Sequence, residues 1–163
     1  MKSKLFVLVA AASLLLPAPA LASTRPCTSS EVSSIQSQQR TVDSRQRTVN
    51  TDQQNYSNAQ QRLNTANARV NDLDAKRTAS KNRLSSMLVA AAKNPTKAKE
   101  YADRIQEEKR TLASIESQHT SAVRNASYAN TVANNALSKL SRSQKELGNQ
   151  QAQLASKRSR CRI

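Results

Sequence analysis

The chain has 163 residues, with 26 Lys and Arg against 11 Asp and Glu, a formal charge of +15 and only 2% aromatic side chains. That balance argues against a compact globule built on bulky core residues, and it favours anionic partners over bare self-association. High charge with 37% hydrophobic residues would read as disorder, but one glycine and four prolines do not fit the usual composition of disordered chains. The remaining reading is a narrow buried seam.

The N-terminus reads as a secretory signal peptide. Met1 to Lys4 is short and basic, residues 5–16 are apolar, and Ala20-Leu21-Ala22 is a small-x-small cleavage site. The apolar run is shorter than the roughly 20 residues that span a bilayer. Ser23, not cysteine, follows the expected cut, so lipidation is not expected. The expectation is a signal peptide over 1–22 and a single secreted or periplasmic domain over 23–163, with no membrane span. Loss of Lys2 and Lys4 would leave it at +13.

The first arm is predicted over 28–92. Thr28-Ser29-Ser30-Glu31 is a capping box, in which each end residue satisfies the other's backbone N–H. Every seventh residue from Ile35 onward is Val42, Val49, Tyr56, Leu63, Val70, Arg77, Leu84 and Ala91, and all but Arg77 are apolar. This is the a series of a heptad repeat, which predicts a left-handed supercoil. The d series, Gln38, Arg45, Asp52, Ala59, Ala66, Leu73, Ser80 and Met87, is apolar mainly in its later part. The seam is therefore expected to be poorest near Cys27 and best near the turn.

The turn is placed at 92–95. Asn94 tolerates the left-handed conformation that often closes helices, and Pro95 forces it away from helical angles while suiting a helix start. The second arm, over 95–160, repeats the pattern with Ile105, Leu112, His119, Ala126, Ala133, Leu140, Leu147 and Leu154. Gly148 is a weak point costing about 1 kcal/mol against Ala.

The fold class is thus all-α: a long antiparallel two-helix coiled-coil hairpin with its ends stapled by a disulfide. Cys27 and Cys161 are equidistant from Asn94, and two cysteines in a secreted chain are expected to pair. A register in which facing residue numbers add to 185 sets Arg77 against Glu108, a seam ion pair read as a register device. The alternative, 192, sets Arg77 against Ile115 and Glu108 against Leu84.

No catalytic constellation is visible. The one histidine, His119, falls on the seam and lacks the partners that zinc needs. The Ser and Thr residues lack a base partner, and Gly148 alone cannot form a phosphate loop. A non-enzymatic protein without cofactor or metal is expected. Three surfaces qualify for binding. The apolar tip carries Met87, Leu88 and Val89 beside Lys93, Lys97 and Lys99. The basic end carries Arg25, Lys157, Arg158, Arg160 and Arg162. A stripe along arm one carries Arg62, Arg69, Lys76 and Arg83 every seven residues.

These surfaces predict a rigid spacer or scaffold that docks a protein partner through the tip, with pairing of two tips into a homodimer. Binding of anionic envelope polymers such as cell-wall glycan, lipopolysaccharide or teichoic acid is the alternative. Nucleic acid is disfavoured by the lack of aromatic platforms. In size, leader, basicity and long helices the chain also resembles the OmpH-like chaperones, which implies a periplasmic holdase. It has no strand-forming region of the kind their body domain requires.

Overall fold

A computed structural model describes residues 25–162, so the expected signal peptide over 1–22 lies outside the described residues. The chain is an all-α hairpin of two long antiparallel helices, α1 (Ser29–Lys93) and α2 (Ala98–Arg158), joined by a 3-10 turn at Pro95–Lys97. The heptad reading holds along both arms. In α1 every a residue from Ile35 to Ala91 is buried or half-buried, and so is every d residue except Arg45. In the second arm the same is true of the a and d residues from Tyr101 in α2 to Cys161 just after it. The described residues form two compact units, one from the chain up to Val42 with Gln150 onward, the other Asp43–Asn149.

The first unit is closed by four kinds of bond. Cys27 and Cys161 form the expected disulfide, with their Cα atoms 4.9 Å apart. The Cys27 N–H donates to the Arg162 carbonyl at 3.0 Å, and the Arg162 N–H donates to the Arg25 carbonyl at 2.9 Å. The capping box forms as its residue types require: the Thr28 N–H donates to Glu31 Oε2 at 2.8 Å, and the Glu31 N–H donates to Thr28 Oγ1 at 3.3 Å. On the seam, Gln38 Nε2 donates to Gln150 Oε1 at 2.8 Å, which satisfies two d-position amides against each other.

In the second unit α1 ends differently from the sequence expectation. Among the described residues none has positive φ. Asn94 sits at φ −130° and ψ 74°, outside the helical region as the following proline demands. The Ala90 carbonyl accepts both the Asn94 N–H and its side-chain Nδ2, each at 3.1 Å, so the helix ends on a doubly bonded carbonyl and not on a left-handed residue.

The register also departs from the expectation, and the Arg77–Glu108 pair is not formed. Arg77 bonds Asp74 one turn back at 2.9 Å, while Glu108 is held by Arg83 at 2.9 Å and by the Ser80 hydroxyl. The partners Arg83 and Glu108, Asp52 and Lys139, and Arg45 and Glu146 each have numbers adding to 191. That matches the 192 alternative, which sets Arg77 level with Ile115. The reason lies in the buried polar groups. Asp52 is 2% exposed. At 185 it would face Ala133, which has no side-chain donor, and a buried carboxylate left without a partner is costly. In the observed register the Ser143 hydroxyl donates to Asp52 Oδ2 and Lys139 Nζ lies 3.0 Å from Oδ1. One Arg77–Glu108 pair, whose two members find other partners in this register, cannot outweigh that.

Burial runs opposite to the expected gradient. Ile35, Val42 and Val49 in α1, and Leu140, Leu147 and Leu154 in α2, are buried to 9% exposure or less. Leu84, Met87, Tyr101 and Ile105, the large seam residues nearest the turn, are only half-buried. Polar d residues that bond each other across the seam let the helices close around neighbouring aliphatics. Two helices alone cannot surround side chains as long as Met87 and Tyr101, since each presents only one stripe to the other.

Candidate functional site

At the tip, the last turn of α1 is apolar beyond the heptad positions. Met87 is half-buried on the seam, while Leu88 and Val89 are 50% and 52% exposed. Lys93 ends α1, and Lys97 and Lys99 follow in and after the 3-10 turn; all three are exposed. The five expected tip residues, Met87, Leu88, Val89, Lys93 and Lys97, thus lie around one helix end. An apolar cluster bordered by cations has the anatomy of a docking surface.

The basic end is partly used internally. Arg25 is ion-paired with Glu31. Lys157 Nζ donates to Gln38 Oε1 at 3.3 Å, and Arg158 Nη2 donates to Gln39 Oε1 at 2.9 Å. Arg160 lines a small groove of about 100 Å3 with Glu31, Ser34, Ile35 and Lys157, and Arg162 takes part in the pairing beside the disulfide through its main chain. Glu31 titrates at about 2, held down first by the Arg25 guanidinium and then by the Thr28 N–H and hydroxyl.

Two other carboxyls sit below their ordinary range. Asp52 is lowered first by the Ser143 hydroxyl and then by Lys139. Glu108 is lowered first by Arg83 and then by Ser80. His119 Nε2 is 3.1 Å from Asp74 Oδ1, close enough for an ion pair when protonated but not aligned for a hydrogen bond. Among the described residues no group of three or more His, Cys, Asp or Glu is placed to hold a metal ion.

The stripe on arm one is divided by its partners. Lys76 pairs with Asp72 at 2.8 Å and Arg83 with Glu108. Arg62 and Arg69 border an open groove of about 520 Å3 with Asn58, Gln61, Thr65, Ala66 and Asn125. The amides of this groove were not singled out by the heptad reading, which looks at a and d positions only. A scan for stretches without acidic residues would have found the region. Comparison with protein-family models, with curated proteins and with solved structures finds no match for this chain.

Proposed function

We propose that the protein is a secreted or periplasmic, non-enzymatic helical hairpin that serves as a spacer or scaffold for a protein partner docked at its tip. The observation that supports this reading is the exposed pair Leu88 and Val89 next to a seam that loosens toward the turn. The other exposed large apolar residues, Val123, Tyr128 and Leu137, are spread along α2. The disulfide, and the absence of a helix long and apolar enough to cross a membrane among the described residues, are compatible with a place outside the cytoplasm.

The test is capture of a single partner from an envelope extract by the disulfide-intact protein and by the Leu88→Ser/Val89→Ser variant. Positions 88 and 89 are off the seam, so circular dichroism should show helix content retained. Loss of capture by about tenfold or more, insensitive to salt, supports the tip. Undiminished capture overturns it. A homodimer through the same residues is the other way to cover them. It predicts a doubled mass by light scattering at high salt that the same variant abolishes.

A second reading, binding of an anionic envelope polymer, is favoured by the excess of cations over acids and by Arg62 and Arg69, which no carboxylate among the described residues neutralises.

A further inference from the structure

Of the four stripe cations, Arg62 and Arg69 make no ion pair or hydrogen bond within the described residues. The cause is local composition. Residues 53–71 and 117–145 contain no Asp or Glu. The register fixed by Asp52 with Lys139 and by Arg83 with Glu108 sets these two stretches against each other. The middle of the Asp43–Asn149 unit is therefore a belt with cations and no counter-charge of its own.

The groove in that belt has a defined chemistry. Its floor is Ala66, a d position filled by a methyl group, with the small Ala122 buried on the facing seam. It is lined further by Asn58, Gln61 and Thr65 from α1 and Asn125 from α2, the Thr65 hydroxyl donating to the Gln61 carbonyl of its own helix at 3.0 Å. Neither Asn58 nor Asn125 spends its side chain on a bond within the described residues. Tyr128, three residues from Asn125 and so on the same side of α2, is 73% exposed. Arg62 and Arg69 are seven residues apart, about 10 Å at the helical rise. That is the order of one disaccharide in an extended β-linked glycan.

We propose that this groove binds an extended acidic polysaccharide carrying one carboxylate per disaccharide, a deepening that rests on the anionic-polymer reading. Arg62 and Arg69 take successive carboxylates through their forked donors. Asn58, Gln61 and Asn125 offer paired donors and acceptors to ring hydroxyls and acetamido groups. Tyr128 gives an apolar face to a sugar ring with a polar tip toward water. A neutral glycan leaves both guanidiniums unused. A nucleic acid lacks a row of aromatic platforms to stack on.

The test is calorimetric titration of the disulfide-intact protein with hyaluronan decasaccharide, against dextran and inorganic polyphosphate, at low salt. The Arg62→Ala/Arg69→Ala variant should bind hyaluronan about tenfold or more weakly. Arg104→Ala/Arg110→Ala removes the same charge elsewhere on α2 and should change affinity less than about threefold. Asn58→Ala/Asn125→Ala leaves the charge unchanged and should still weaken binding by about fivefold. Circular dichroism checks that each variant keeps its helices. Equal weakening by the two arginine pairs, no effect of the asparagine pair, dextran bound as well as hyaluronan, or polyphosphate bound more tightly than hyaluronan each overturns the site. None of these outcomes bears on Leu88 and Val89, so failure here leaves the tip reading to its own experiment.

Discussion

The unit around the disulfide and the Asp43–Asn149 unit stabilise the same two-helix motif by different means. The first is short, and it combines a covalent bond, a reciprocal backbone pairing, a capping box and a glutamine pair. The second is long, and it relies on aliphatic seam residues interrupted by two acidic residues, Asp52 and Glu108, each held by a hydroxyl and a cation from the opposite arm. A chain with few large apolar residues thus draws its stability from two sources. Covalent closure acts where only a few seam layers exist. Satisfied polar layers act where the seam is long and must hold one alignment.

Removing the covalent closure should break this contrast most. A Cys27→Ser/Cys161→Ser variant should lose about 4–5 kcal/mol of unfolding free energy in the loop-entropy account, measured by urea denaturation. Hydrogen exchange should show the loss of protection first at residues 28–42. An unchanged midpoint would mean that the backbone pairing and cap suffice.

Next comes the burial difference inside the seam. Leu140→Ala should cost about 2–4 kcal/mol, since Leu140 is 5% exposed, whereas the half-buried Leu84 should lose about 1 kcal/mol on the same change. Equal costs would erase the gradient.

Acid sharpens the comparison further. Glu31, Asp52 and Glu108 all have folded-state pKa values below the ordinary 4.5 for Glu and 3.8 for Asp. The unfolded chain therefore takes up protons first as pH falls. The stability these groups contribute is complete above about pH 5 and is lost as pH falls from the ordinary values through the lowered ones, which for Glu31 means about 2. Thermal melts across that window should show this fall. Asp52→Asn should flatten it in the longer unit and Glu31→Gln in the shorter one. A rise in stability on acidification would contradict the assignment. The smallest effect is expected at Gly148, where an added Cβ meets nothing within 4 Å and φ is not positive. Gly148→Ala should raise the unfolding free energy by about 0.5–1 kcal/mol, measured by urea denaturation.

The arms, the turn, the cap and the disulfide were all legible in the sequence, because each depends on local chemistry or on a period. Ile35 and its successors mark the seam whatever faces them, and Thr28 with Glu31 needs no distant partner. The alignment of the arms was not legible in the same way. The 185 and 192 registers each set apolar against apolar at some layers and polar against apolar at others, so the apolar pattern does not choose between them. The choice turns on where Asp52 finds Ser143 and Lys139, a buried carboxylate whose cost exceeds the gain from one Arg77–Glu108 pair. The burial gradient was misread because polar d residues were taken as gaps, when Gln38 and Gln150 in fact close on each other. Of the candidate surfaces, the tip could be read from its composition. The stripe could be read only as four equal cations. Its division depends partly on Asp72 with Lys76, a helical i,i+4 pair visible in the sequence, and partly on Glu108 meeting Arg83 across the seam.

The disulfide has one more consequence, which concerns how such a chain can change length. The two arms are joined by the peptide chain at Asn94 and by sulfur at Cys27 and Cys161, so they form a closed ring. Seven residues inserted between Asp43 and Asp52 in α1 alone would shift Asp52 away from Ser143 and Lys139 or separate the cysteines. The same insertion matched by seven between Ser143 and Leu154 in α2 would preserve both. Related chains of different size should therefore differ by paired heptads, one in each arm at the same level, and an unpaired insertion should be found only at the turn.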